Sequence, residues 1–142
     1  MPYQLSFEKV DKYFNKTLKD RKDEDYEDLN ISYFLYLRQI KELGNPTISE
    51  LASSMDVTKP SASNMIKKLQ KMGFVDVQKS TKDRRVSHLN ISNTGEEVLE
   101  FVDSVDQQFF KKVEEILGDE KFKVFANLWE EISRGLDEED EL

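Results

Sequence analysis

At 142 residues, 37% of them hydrophobic and 35% charged, the chain holds one domain's worth of sequence, enough to bury a core beneath a highly charged surface. It has no cysteine, which excludes a disulfide framework, a thiol-based sensor and any Cys-containing zinc site; its single histidine, His88, has no second imidazole with which to complete a typical zinc set. No apolar run approaches the roughly 18 residues of a membrane span, and the start MPYQLSFEKVDKYF lacks the cationic opening and apolar middle of a signal peptide, so a cytoplasmic protein without a membrane partner is expected.

From Leu5 to Leu18, Phe7, Val10, Phe14 and Leu18 recur at three- and four-residue spacing with Tyr13 beside them, which predicts a helix with one apolar stripe. The run KDRKDEDYED then reads as a helix end and a solvated connection. A second helix is expected from Ile31 to Leu43, stopped by Gly44. Its Ile31, Phe34, Leu35, Leu37 and Ile40 would pack under the next elements, while Tyr33 and Tyr36 either fill the core or face a cavity.

The stretch from Thr47 to Ser92 is the one whose pattern names a task. Thr47, Ile48, Ser49 and Glu50 form a capping box that opens a short helix, and Pro46 stops any earlier helix from running through. After a tight turn, Thr58 is the expected N-cap of another helix, with Pro60 in its first turn, where the missing N–H costs no bond. Ala62, Met65, Ile66, Leu69 and Met72 gather on one side of that helix. Lys59, Ser61, Ser63, Asn64, Lys67, Lys68 and Lys71 take the other, a face of cations and small hydrogen-bonding groups without one carboxylate. Small polar residues early in such a helix can approach base edges, and the lysines can reach phosphates.

Gly73 suits a left-handed helix end. Val75 and Val77 alternate with Asp76 and Gln78, as Leu89 and Ile91 do with His88 and Asn90, so a hairpin of two short strands is expected. The intervening KSTKDRR is too polar to bury, and it could lay an arginine in a minor groove. Arg84 and Arg85 point opposite ways in an extended loop, so that one can reach DNA while the other pairs with Asp83. Beyond Ser92, Val98, Val102, Val105, Phe109, Val113 and Ile116 form a long helical stripe that ends near Gly118. A last helix carries Phe122, Phe125, Leu128, Trp129 and Ile132, and the tail GLDEEDEL is expected to fray. Together with the first helix, this is more apolar surface than a small helix-turn-helix can cover, which points to a protein partner.

Net charge is −8, yet between Thr58 and His88 eight cations face only Asp76 and Asp83, a local +6 that leaves −14 for the remainder. Local sign decides what a surface attracts, and here it favours phosphates.

At these residues the chain resembles the multiple-antibiotic-resistance regulator (MarR) family of bacterial and archaeal winged-helix transcription factors. Asp83-Arg84-Arg85 fits that family's Asp-x-Arg wing signature, and Leu89, Ile91, Ser92 and Gly95 follow where members usually carry Leu-Thr-x-x-Gly. Leu51-Ala52, Val57-Thr58-Lys59 and Leu69 with Gly73-Phe74-Val75 fit its helix-turn-helix. Two departures stand out: Asp56 replaces the usual turn Gly, and Ile91-Ser92 replaces Leu-Thr. Asp visits the left-handed region readily and Ser caps as well as Thr, so neither disturbs the expected fold.

The resemblance implies a mostly α fold with a small β-hairpin wing, a winged helix-turn-helix core with added N- and C-terminal dimerisation helices. The expected division is 1–44 for the N-terminal dimerisation and supporting helices, 45–91 for DNA binding and 92–142 for the C-terminal dimerisation helices. It implies a homodimer held through Phe7, Val10, Phe14, Val113, Phe122, Phe125 and Trp129. Double-stranded DNA with an inverted-repeat operator would be read by Thr58, Lys59, Ser61, Ser63, Asn64, Lys67, Lys68 and Lys79, together with Asp83, Arg84 and Arg85 of the wing. It further implies a repressor relieved by a small aromatic effector, for which Tyr33 and Tyr36 are the candidate contacts. The alternative is a winged helix that docks on protein within a transcription or replication assembly, which would not need the cation-only helix face. No phosphate-binding glycine loop, metal set or nucleophile beside a histidine is present, so neither catalysis nor a cofactor is expected.

Overall fold

The computed structural model describes residues 3–21, 31–83 and 85–140. The chain divides into two compact units, one ending at Asp103 and the other beginning at Ser104. The first unit holds α1 (Tyr3–Arg21), α2 (Ile31–Leu43), α3 (Ile48–Ser54), α4 (Lys59–Lys71), β1 (Val75–Lys79), β2 (Ser87–Ile91) and the opening turns of α5 (Asn93–Leu117). Its core draws on every element from α2 onward: Leu37 and Ile40, Leu51, Ile66 and Leu69, Val75, Leu89 and Val98 are all buried. The two strands pair antiparallel, in register from Val75 opposite Ile91 to Lys79 opposite Ser87. This is the mostly helical winged-helix architecture with a two-stranded wing.

α2 corrects one expectation. Leu35 is 53% exposed, whereas Phe34, Tyr36, Leu37 and Ile40 are buried and Tyr33 packs against them. At about 100° per residue, Leu35 points roughly 180° away from the mean direction of its buried neighbours. The side chain of Ile31 and the run from residue 22 to 30 lie outside the described residues.

The start of α5 lies along α2, bound by two exposed ion pairs: Arg38 Nη2 donates to Asp103 Oδ1 at 2.9 Å, and Lys41 Nζ to Glu96 Oε2 at 2.9 Å. The hydrogen bond to Glu96, and then the charge of that carboxylate, raises the Lys41 pKa above its ordinary value. Exposed pairs contribute little stability; the burial of Val98, Leu99 and Val102 in the core they share with α2 does more.

In the second unit, α5 continues to Leu117 and α6 covers Asp119–Asp140. Gly118, at φ 80°, makes a left-handed turn that most residues bearing a β-carbon avoid. Phe110 stands between the helices, its ring 5.8 Å from that of Trp129 and 6.5 Å from that of Phe125. Residues 135–140 of the tail are helical rather than frayed as expected: α6 runs to Asp140, where Leu136 continues the four-residue spacing of exposed Leu128 and Ile132. Among the described residues, no helix is long and apolar enough to cross a membrane.

Candidate nucleic-acid interface

The outward face of α4 is fixed at both ends. At its start, Thr58 has extended backbone and its Oγ1 accepts from the Ser61 N–H at 3.2 Å while donating to Ser61 Oγ at 2.9 Å. Ahead of it, Asp56 takes φ 54°, the left-handed turn that the sequence asks of it in place of Gly. Thr47 caps α3 by accepting from the Glu50 N–H at 3.1 Å. Leu51 and Ala52 of α3, with Ala62, Ile66 and Leu69 of α4, bury the faces that hold the two helices together.

At its end, α4 closes on Gly73 at φ 82°, and the Phe74 N–H returns to the Leu69 carbonyl at 2.9 Å. Ser92 then ties this corner to α5. Its hydroxyl donates to the Gly73 carbonyl and accepts from the Gly95 N–H at 3.0 Å, and its own N–H donates to the Phe74 carbonyl at 3.0 Å. Gly95 is a glycine for lack of space: a β-carbon there would overlap the Phe74 carbonyl oxygen and lie 2.7 Å from Ile91 Cγ2.

The wing is an ordered loop. Ser80 N–H donates to the Val86 carbonyl at 2.9 Å, and the Val86 N–H to that of Asp83 at 3.0 Å. Asp83 Oδ1 accepts from both the N–H and Nε of Arg85, at 3.0 and 3.3 Å, which leaves the Arg85 side chain 92% exposed but directed. Arg84 lies outside the described residues. β2 is also pinned on its other side, where Thr47 and His88 form an isolated bridge and the Leu89 N–H donates to the Pro46 carbonyl at 2.8 Å. His88 Nδ1 stands 2.9 Å from the Asn45 carbonyl oxygen, so that nitrogen carries the proton. The lone histidine thus braces the wing.

Thr58, Lys59, Ser61, Asn64, Lys67 and Lys68 are exposed along α4, and Lys79 is exposed where β1 ends; Ser63, at the edge of the core face, and Asp83 are half-buried. Lys59 and Arg85, far apart in sequence, share an open cleft of about 280 Å³ with Thr47, Ile48, Ser49, Val86 and Ser87. Two cations and three hydroxyl residues make that cleft suited to an anion. The sequence marked Thr47 only as a cap and missed Ser49 and Ser87, since a cleft wall built from three elements leaves no spacing to recognise.

Tyr36 is buried in the core and Tyr33 is half-buried against it, as plain packing requires. Of the expected interface residues, Phe7 is 77% exposed, Val10 and Trp129 are also exposed, and Phe14, Val113, Phe122 and Phe125 are half-buried.

Residues 29–87 match the MarR family. The chain is 26% identical over 98 residues to the HTH-type transcriptional regulator FarR of Neisseria gonorrhoeae, covering 69% of this chain and 67% of that one. It is 29% identical over 92 residues to the HTH-type transcriptional regulator YsmB of Bacillus subtilis, covering 65% and 63%; the alignments thus span about two thirds of these relatives. Its fold is similar to that of YusO of Bacillus subtilis, with a TM-score of 0.78 at 20% identity over 93% of this chain and 89% of that one. It is similar too to FabT of Streptococcus pneumoniae in complex with DNA, with a TM-score of 0.71 at 19% identity over 96% and 98%. The matched stretch runs from residue 29 to the first residue of β2 and so takes in α2, the helix-turn-helix, β1 and the loop of the wing: over those residues the chain matches the MarR family, and its fold is similar to that of the solved structures just named.

Proposed function

We propose that the protein is a homodimeric repressor that binds an inverted-repeat operator and is released by a small aromatic effector. The observation that carries the DNA reading is the carboxylate-free outward face of α4, set beside the directed side chain of Arg85. Ser61, Asn64 and Lys67 would face the major groove, with Ser63 at the margin. Lys59, Lys68 and Lys79 would serve phosphates, and Arg85, oriented by Asp83, would enter the minor groove. Arg84 belongs to the same proposed set. In this division of labour, residues 1–44 and 92–142 carry dimerisation and 45–91 carry DNA recognition.

The dimer is supported by apolar side chains that a single chain leaves in water: Phe7 and Val10 on α1, and Leu128, Trp129 and Ile132 on α6. FabT, similar in fold, is seen with DNA, which supports carrying the same kind of partner over to this chain. The effector rests on the family resemblance, with Tyr33 and Tyr36 as its proposed contacts. Purified protein should enrich discrete fragments from the DNA of its source genome, and a candidate effector should release them. Failure to enrich any fragment at moderate salt would remove the proposal.

A further inference from the structure

We propose that Asn64 is the residue that specifies a base, and that the base is adenine; this rests on the DNA reading of α4 given above. At about 100° per residue, Asn64 points roughly 170° away from the mean direction of buried Ala62, Ile66 and Leu69, so it occupies the crest of the outward face. Its amide makes no hydrogen bond to any other described residue. It is also in the first half of the helix, the part that reaches base edges when such a helix enters the major groove.

The neighbours on that face narrow the assignment. Ser61 already accepts a hydrogen bond from Thr58, and Ser63 is half withdrawn from solvent. Gln70 is the one other amide on α4, but it lies about 9 Å further along the axis and roughly 120° around the helix. The lysines suit phosphates or guanine, and no carboxylate is available to accept from a cytosine amino group. An asparagine side chain, by contrast, matches one base edge with both of its groups: its NH₂ donates to adenine N7 while its carbonyl accepts from adenine N6.

The test uses the full-length protein and duplexes with a randomised central segment, selected in parallel with the native protein and with Asn64→Ala. The native protein should return a consensus with an adenine at one fixed position of each half-site. Replacing that A·T pair with G·C should weaken native binding about 5- to 150-fold, the scale of one bidentate base contact. Asn64→Ala should lose preference at that position alone and bind both duplexes equally. Asn64 is exposed, so the variant's thermal melt should match the native one. If Asn64→Ala returns the native consensus unchanged, or loses preference at a position that is not adenine, the proposal is overturned. If the native protein enriches no sequence at all, it is the DNA reading of α4 that fails.

Discussion

Gly95 sits where a methyl group has no room, and that makes it a sharp test of the corner between α4 and α5. Alanine is favoured over glycine in a helix by about 1 kcal/mol, yet its β-carbon would strike the Phe74 carbonyl, a backbone atom that cannot swing aside. Gly95→Ala should therefore lower stability by ~1–3 kcal/mol, the usual cost of overpacking, as read by chemical denaturation; a variant as stable as the native protein would contradict the packing described. Arg85 tests function instead. Arg85→Ala should weaken operator binding by about 1–3 kcal/mol while the melt stays unchanged, because the side chain is 92% exposed and its ion pair with Asp83 lies at the surface. Lys68→Ala should weaken specific and random DNA alike and reduce the salt slope by about one unit, the signature of a phosphate contact. If the two variants proved indistinguishable in a salt titration, the division between groove and phosphate residues would be wrong.

Among the elements, those with local signals were the most legible. Thr58, Pro60 and the apolar Ala62, Met65, Ile66 and Leu69 of α4 fixed its start and its inward face, and Gly73 fixed its end. Val75 and Val77 opposite Leu89 and Ile91 gave the hairpin, because alternation and a charged loop leave few other readings. Contacts between distant residues were not legible: nothing in the sequence joins His88 to Asn45, or sets Arg38 and Lys41 of α2 against Asp103 and Glu96 of α5. Leu35 misled through its type, since its angular position already opposed the buried residues. The tail misled through its charge, which water solvates along a helix as readily as in a coil. For the candidate site, residues carried by one helix were visible and the cleft wall was not. Element packing also predicts a contrast within α6. Phe125 is half-buried within the chain, so Phe125→Asp should unfold as well as dissociate the protein. Ile132 is 57% exposed, so Ile132→Asp should shift sedimentation from dimer to monomer with helicity retained. Native protein sedimenting as a monomer at micromolar concentration would refute the dimer.

For the whole molecule, a two-fold dimer has a geometric corollary. Two recognition helices related by a dyad should meet an imperfect inverted repeat with half-site centres about one helical turn, roughly 10 base pairs, apart. Footprinting should show protection symmetric about that centre, and a short asymmetric footprint would count against the arrangement. The joint at Ser92 bears on how such a molecule tolerates change. Its hydroxyl donates a hydrogen bond to one chain segment and accepts one from another, and few side chains are bifunctional in this way. Aspartate ranks beside serine as a helix cap, but an ionised carboxylate only accepts, and here it would face the Gly73 carbonyl with nothing to offer. At this single position the customary ranking of caps is inverted: threonine substitutes freely, whereas aspartate, a conservative choice at an ordinary helix start, should loosen the corner where α4 ends and α5 begins.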